Sequence, residues 1–193
     1  RKRRPRRDPP YNRSMLPDIH SDAPRVFDGI RFDVHRVELT QPDGASAVRE
    51  VVVHPGAAVV LPLMEDDGVV LIRNERFAVD DSLWELPCGT LEPNEPPIDC
   101  AARELTEESG FRANRIEPLC DFYTSPGICT EKMFAFVARG LSHVGQDLDA
   151  GERITVEVKP LAEAVQMIRE GRIVDGKTIA TLLYYWTFAR EHA

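Results

Sequence analysis

Three glutamates in the run Arg103-Glu104-Leu105-Thr106-Glu107-Glu108-Ser109-Gly110 form the densest concentration of chemically useful side chains in the sequence. On a helix, Glu104 and Glu108 stand at i and i+4, and Glu107 lies at i+3 from Glu104, so the three carboxylates share one face. Without partners they repel one another. One relief is solvation, with Arg103 as counter-ion. The other is a divalent cation, because hard carboxylate oxygens suit Mg²⁺ or Mn²⁺ and the ion supplies the missing positive charge. The residues flanking the run favour the cation.

Those flanks read Gly89, five residues, Glu95, seven residues, then Arg103-Glu104-Leu105-x-Glu107-Glu108-x-Gly110-Phe111, a span of 23 residues. The pattern resembles the Nudix box at every specified position. The resemblance implies an α/β/α sandwich with a mixed sheet, in which the box forms a loop, a helix and a loop. It also implies a metal-dependent hydrolase that cleaves a nucleoside diphosphate linked to another moiety. Glu104 and Glu108 would be the primary metal ligands, with Glu107 contributing and the Cys88 carbonyl completing the site. Arg103 would orient these glutamates and keep them ionised.

Neighbouring segments narrow the resemblance. Trp84-Glu85-Leu86-Pro87-Cys88-Gly89 is similar to the E-x-P-A-G run of ADP-ribose and ADP-sugar pyrophosphatases. Ser125-Pro126-Gly127 falls where that subfamily carries a marker proline, and Glu131-Lys132 is also similar. By this resemblance Arg49, Arg76, Glu85, Pro126 and Gly127 are expected to contact substrate. Cys88 stands where alanine is usual, and Asn74 where glutamine is common. The general base is expected outside the box, since glutamates bound to a cation are poor proton acceptors. Glu152, in the polar stretch Gln146–Arg153, matches the position of the catalytic glutamate in ADP-ribose pyrophosphatases. Asp147, Asp149 and Glu157 are nearby alternatives, and Glu107 or Glu108 would serve if no loop acid does.

The elements that must position these groups are legible from alternation and turn chemistry. Arg31–Leu39 and Ala47–Val53 alternate around Pro42-Asp43-Gly44, which predicts a hairpin. Gly56–Met64 is a continuous apolar run, as expected of a buried strand, and Asp66-Asp67-Gly68 turns it into Val69–Arg73. Leu83–Leu86 reads as a short strand, and a loop over 87–97 precedes a helix at Ile98–Ser109 ended by Gly110. Strands are expected at Ile116–Tyr123, Lys132–Val137 and Ile154–Val158, with a polar loop over Leu141–Gly151. Helices are expected at Leu161–Arg169 and Thr178–Glu191. Gly171–Thr178 satisfies the phosphate-loop expression G-x-x-x-x-G-K-T, but an amphipathic helix precedes it where such a loop needs a strand. Gly171 is instead expected to end one helix and Asp175 or Gly176 to start the next.

These elements suggest a tail over 1–25, a small N-terminal β-sheet element over 26–54 and a catalytic domain over 55–193. The hairpin is too small to bury its own face, so a homodimer formed through that sheet is expected. The chain has 193 residues, enough for one domain of ordinary size with an N-terminal addition, and its net charge is −8. Residues 1–7 hold 6 of the 24 basic side chains; beyond them 18 basic residues face 32 acidic ones, a balance of −14. So acidic a body repels nucleic acid, and the basic heptad reads as a solvated, disordered tail. No apolar stretch suggests a membrane span or a secretory signal. Cys88, Cys100, Cys120 and Cys129 lack zinc spacing and read as reduced thiols of a cytoplasmic protein. The five histidines are scattered and read as surface or core residues. Tyr184, Tyr185 and Trp186 are expected in the core, and Phe27 and Phe32 either in the core or stacked on a base.

The expected activity is hydrolysis of ADP-ribose to AMP and ribose 5-phosphate, or of a closely related nucleotide sugar. The alternatives are another pyrophosphate substrate (GDP-mannose, NADH, a dinucleotide or an RNA cap) and a nucleotide-sensing regulator without catalysis. The intact box and the lack of room for a DNA-binding domain weigh against the regulator.

Overall fold

A computed structural model of the protein describes residues 23–41 and 43–190. The basic heptad, His20 and His192 lie outside the described residues. Contacts divide the chain into two units, with the boundary between Val53 and His54.

The N-terminal unit is an antiparallel sheet of β1 (Arg25–Asp28), β2 (Asp33–Thr40) and β3 (Ser46–Val53), in that order. β2 and β3 form the expected hairpin, from Asp33 opposite Val53 to Thr40 opposite Ser46. β1 was not expected from the sequence: it is four residues long, and a bulge between Arg25 and Phe27 interrupts its alternation. His35 and Val37 are buried, and the His35 Nδ1 lies 2.9 Å from the Ala23 carbonyl oxygen. Phe27 and Phe32 pack on each other with ring centroids 6.0 Å apart and remain exposed, so neither joins a core within this sheet.

The second unit is built around β4 (Ala57–Pro62), all six residues of which are buried. Alternation along the strand sends Ala57, Val59 and Leu61 into one apolar cluster and Ala58 and Val60 into another. β4 therefore separates two cores, which explains why its sequence is apolar at every position. It pairs in parallel with β9 (Lys132–His143) and antiparallel with β7 (Cys88–Thr90); β8 (Phe111–Tyr123) closes a mixed sheet of order β7-β4-β9-β8. A second, antiparallel sheet has the order β10-β5-β6, from Ile154–Pro160, Gly68–Arg76 and Asp81–Glu85. Helix α1 (Pro97–Ser109) covers one face of the mixed sheet through Cys100, Ala101 and Leu105. Side chains of β5, α2 (Leu161–Arg169) and α3 (Gly176–Tyr184) fill the cluster on the other face. The layered α/β architecture expected from the sequence is the one observed.

Several boundaries differ from the sequence reading. β8 begins at Phe111 rather than Ile116, and β9 continues to His143, so Leu141–His143 is strand and not loop. Phe111–Ala113 and Leu141–His143 pair at an edge where polar Arg112 and Ser142 interrupt the apolar run, which hides the strand from its sequence. β7 is three residues inside the expected Gly/Pro-rich loop, held because Leu91 N–H donates to the Gly56 carbonyl and Val60 N–H to that of Pro87. The C-terminal helix changes to π-helical turns at Tyr185–Ala189. There Tyr185 is buried as expected, whereas Tyr184 is exposed. All four cysteines are free thiols. No helix among the described residues is long and apolar enough to cross a membrane.

Leu105 anchors α1 to the mixed sheet and has no exposed surface. Leu105→Ala is expected to lower unfolding stability by about 2–5 kcal/mol, the cost of a poorly collapsing core cavity, measured by urea titration.

Candidate active site

Helix α1 starts with Pro97 at its first position and ends at Gly110, whose φ of 72° is left-handed and whose N–H donates to the Thr106 carbonyl. Between these stops the apolar side presents Leu105 to the core, and the acidic side faces β7. Glu108 is only 4% exposed and accepts the Cys88 N–H at 2.7 Å. Glu104 is pressed against Gly89: a Cβ built on that glycine would lie 1.7 Å from Glu104 Oε1. Any other residue at position 89 would displace the carboxylate.

Arg103 gathers the acids that surround this pair. Its Nε and Nη2 donate to the two Glu95 oxygens at 2.9 and 3.0 Å, and Nη1 donates to Glu104 at 2.6 Å and Glu107 at 3.0 Å. The Arg103 bond holds the Glu95 carboxyl below its ordinary range. Burial has the opposite effect on the other two. It raises the Glu104 carboxyl, against the pull of Arg103, and pushes Glu108 up to about 8, helped by the charges of Glu104 and Glu152. Partly buried Glu104 and buried Glu108, each disfavouring its own ionisation, suit a divalent cation, which would relieve that cost. Among the described residues no three acidic, histidine or cysteine groups are already gathered around one point. Glu104 and Glu108 face β7, while Glu107 turns to Arg103.

The segment that carries Glu152 is tied to the end of α1. Gln146 Nε2 donates to the Glu108 carbonyl at 2.6 Å, and Asp147 N–H donates to that of Glu107 at 3.1 Å. These are carbonyls that the end of a helix leaves unpaired. Glu152 accepts the Asp149 N–H at 3.1 Å, and its charge acts on both Glu104 and Glu108. The stretch Gln146–Arg153 is a loop as expected, whereas the role of Gln146 in fastening it has no signal in the spacing.

Arg76 and Glu85 meet as a bidentate pair on adjacent strands, at 2.7 and 2.6 Å. Glu85 has no exposed surface, whereas the Arg76 side chain is 36% exposed. Of the two, expected alike to touch substrate, only Arg76 is reachable from solvent; Glu85 is its support. Pro126 and Gly127 lie exposed in the β8–β9 loop, a turn in which Ser125 C=O accepts the Ile128 and Cys129 N–H groups. Arg49 belongs to the N-terminal sheet, exposed on β3, with Nη1 donating to the Val48 carbonyl. One histidine departs from the expected isolation: His54 Nδ1 is 3.7 Å from Glu131, a pair invisible to sequence spacing, and accepts the Gly56 N–H.

Comparison with known proteins agrees with this geometry. The model of the NUDIX domain matches residues 53–182. A methanol dehydrogenase activator of Bacillus methanolicus is 37% identical over 164 residues, covering 83% of this chain and 88% of that protein. An ADP-ribose pyrophosphatase of Bacillus subtilis (strain 168) is 32% identical over 162 residues, with coverage of 83% and 88%. A GDP-mannose pyrophosphatase of Cronobacter sakazakii is 36% identical over 163 residues, covering 75% of this chain and 82% of that protein. The crystal structure of an ADP compounds hydrolase shares the fold, with a TM-score of 0.78 at 24% identity over 90% of this chain and 94% of that one. The chain belongs to the Nudix family, as a Nudix pyrophosphohydrolase.

Proposed function

We propose that this chain hydrolyses the pyrophosphate bond of ADP-ribose, with water adding across the P–O–P link to give AMP and ribose 5-phosphate. The observation that carries the reading is the pair of buried Glu108 and partly buried Glu104 facing the Cys88–Gly89 strand, with Arg76 half-exposed. Glu104, Glu108 and the Cys88 carbonyl would hold a divalent cation, Mg²⁺ or alternatively Mn²⁺, with Glu107 contributing when it leaves Arg103. Such an ion neutralises pyrophosphate charge and lowers the pKa of bound water. The Nε/Nη2 edge of Arg76 is occupied by Glu85. Its Nη1 has no protein partner among the described residues and is free to bind a phosphate oxygen. Glu152 takes the proton of the attacking water. Its charge acts on both Glu104 and Glu108, and the loop that carries it is fastened to the end of α1. Arg49, Pro126 and Gly127 are proposed substrate contacts.

The relatives named above act on ADP-ribose in one case and GDP-mannose in another. A screen of ADP-ribose, GDP-mannose, NADH and dinucleotides at fixed Mg²⁺ is expected to give fastest turnover with ADP-ribose and AMP as product. In the same assay Glu108→Gln, which removes one charge from the cation site, should lower activity by at least about 10². Wild-type rates in that variant would remove Glu108 from the ligand set.

For Glu152→Gln the expectation is a kcat lower by roughly 10², the general-base range, with KM and metal affinity little changed. An unchanged kcat would transfer the role to Asp147, Asp149, Glu157 or a box glutamate.

The N-terminal sheet leaves Val26, Phe27, Phe32 and Val48 exposed. This supports a homodimer formed through it, with Arg49 or a phenylalanine of one copy completing the site of the other. Sedimentation at micromolar concentration should show the dimer, and a fully active monomer would count against it.

A further inference from the structure

The residues that mimic a phosphate loop, Asp175 to Thr178, do something else. Asp175 caps α3: its Oδ2 accepts the Thr178 N–H at 2.9 Å and the Thr178 hydroxyl at 2.7 Å. Thr178 is fully buried, and its Oγ1 in turn accepts the Leu86 N–H at 2.9 Å. The other Asp175 oxygen accepts Lys177 Nζ at 2.6 Å, and the same ammonium lies 3.4 Å from Glu85 Oε2. Glu85 then holds Arg76 through both oxygens. Since Glu85 and Leu86 are consecutive, the bonds close a ring through Asp175, Thr178, Leu86, Glu85 and Lys177. Arg76 hangs outward from Glu85, beyond the ring. Two carboxylates and two cations make the group neutral, as a site this buried requires.

The ring has two outlets. One is Arg76. The other is the backbone: two residues after Leu86, Cys88 donates its N–H to Glu108 and offers the carbonyl assigned to the cation.

We propose that the first turn of α3, through Asp175 and Lys177, is the positioning element for Arg76, setting where its free edge meets the substrate phosphate. This rests on the pyrophosphatase reading above. Glu85 alone is a carboxylate on a rotatable side chain; shared between two cations, it has one orientation, and Arg76 inherits that orientation. Lys177 acts from within. Its charge is spent on Asp175 and Glu85, and it is not assigned a contact with substrate. A one-ångström shift of a guanidinium away from its anion is enough to matter for a charge-assisted contact.

The test separates capping from positioning. Asparagine caps a helix about as well as aspartate, so Asp175→Asn keeps the cap while removing the charge that holds Lys177. Asp175→Asn and Lys177→Met are each expected to raise KM for ADP-ribose about tenfold with kcat changed less than threefold, and Lys177→Arg should recover part of the loss. In an Arg76→Ala background the same substitutions should add less than twofold, because the residue they position is gone. Full, multiplicative effects in that background would overturn the proposal and make Lys177 a direct substrate contact. The arginine Nε–H resonance of Arg76, identified by its loss in Arg76→Lys, supplies a readout that needs no turnover. It should be protected from exchange in the wild type and broadened in Asp175→Asn, and an unchanged signal there overturns the proposal. If the wild type hydrolyses no nucleoside diphosphate sugar, the functional reading fails, and this resonance still decides the positioning role. Should Lys177→Met not fold, Asp175→Asn and Lys177→Arg carry the comparison.

Discussion

Glu95, Glu104 and Glu107 converge on the guanidinium of Arg103, and the acidic face of α1 depends on that convergence. Three carboxylates near one another in a half-buried place would repel the loop of Glu95 and the helix of Glu104 apart. One planar cation with five donors holds them together. It also divides the acids by environment. Glu95, Glu104 and Glu107 share Arg103, while Glu108, beyond its reach, is held by one backbone N–H and pushed up by burial. Gly89 and Gly110 serve this arrangement from opposite sides: one leaves room for a carboxylate, and the other ends the helix so that the loop bearing Glu152 can turn back over it.

What the sequence revealed and what it concealed follow from distance along the chain. The box residues lie on one helix or its flanking loop, so their relation is periodicity, which a sequence displays. β4 was legible because both of its faces are buried, and α2 because its apolar positions recur at helical spacing. By contrast, the ring joining Glu85 to Asp175 and Lys177 spans 92 residues between Glu85 and Lys177, and no local pattern announces it. The only hint was an Asp-x-x-Thr capping pattern. The strands at Phe111–Ala113 and Leu141–His143 were hidden for a related reason. Their pairing is set by the partner across the edge and not by their own polarity.

The N-terminal sheet was half legible. Two strands about a turn are announced by alternation, whereas β1, with all four residues exposed, carries no amphipathic signature. Its residues form a strand because β2 offers a free edge, a property of the neighbour.

The placement of β4 between two cores has a further consequence for how the second unit comes apart. An interior divided by a strand belonging wholly to one layer could lose that layer and keep the other. Here neither α1 nor the helices on the opposite face can be peeled away without baring alternate side chains of the same strand, and β9, paired along it, is buried through most of the same stretch. The amides of β4 and β9 are therefore the last to meet deuterium, released only by opening of the whole unit. Those of the exposed β8–β9 loop and the Glu152 segment are expected to exchange through local fluctuations. β7, which carries Cys88 and Gly89 of the candidate site, pairs along β4.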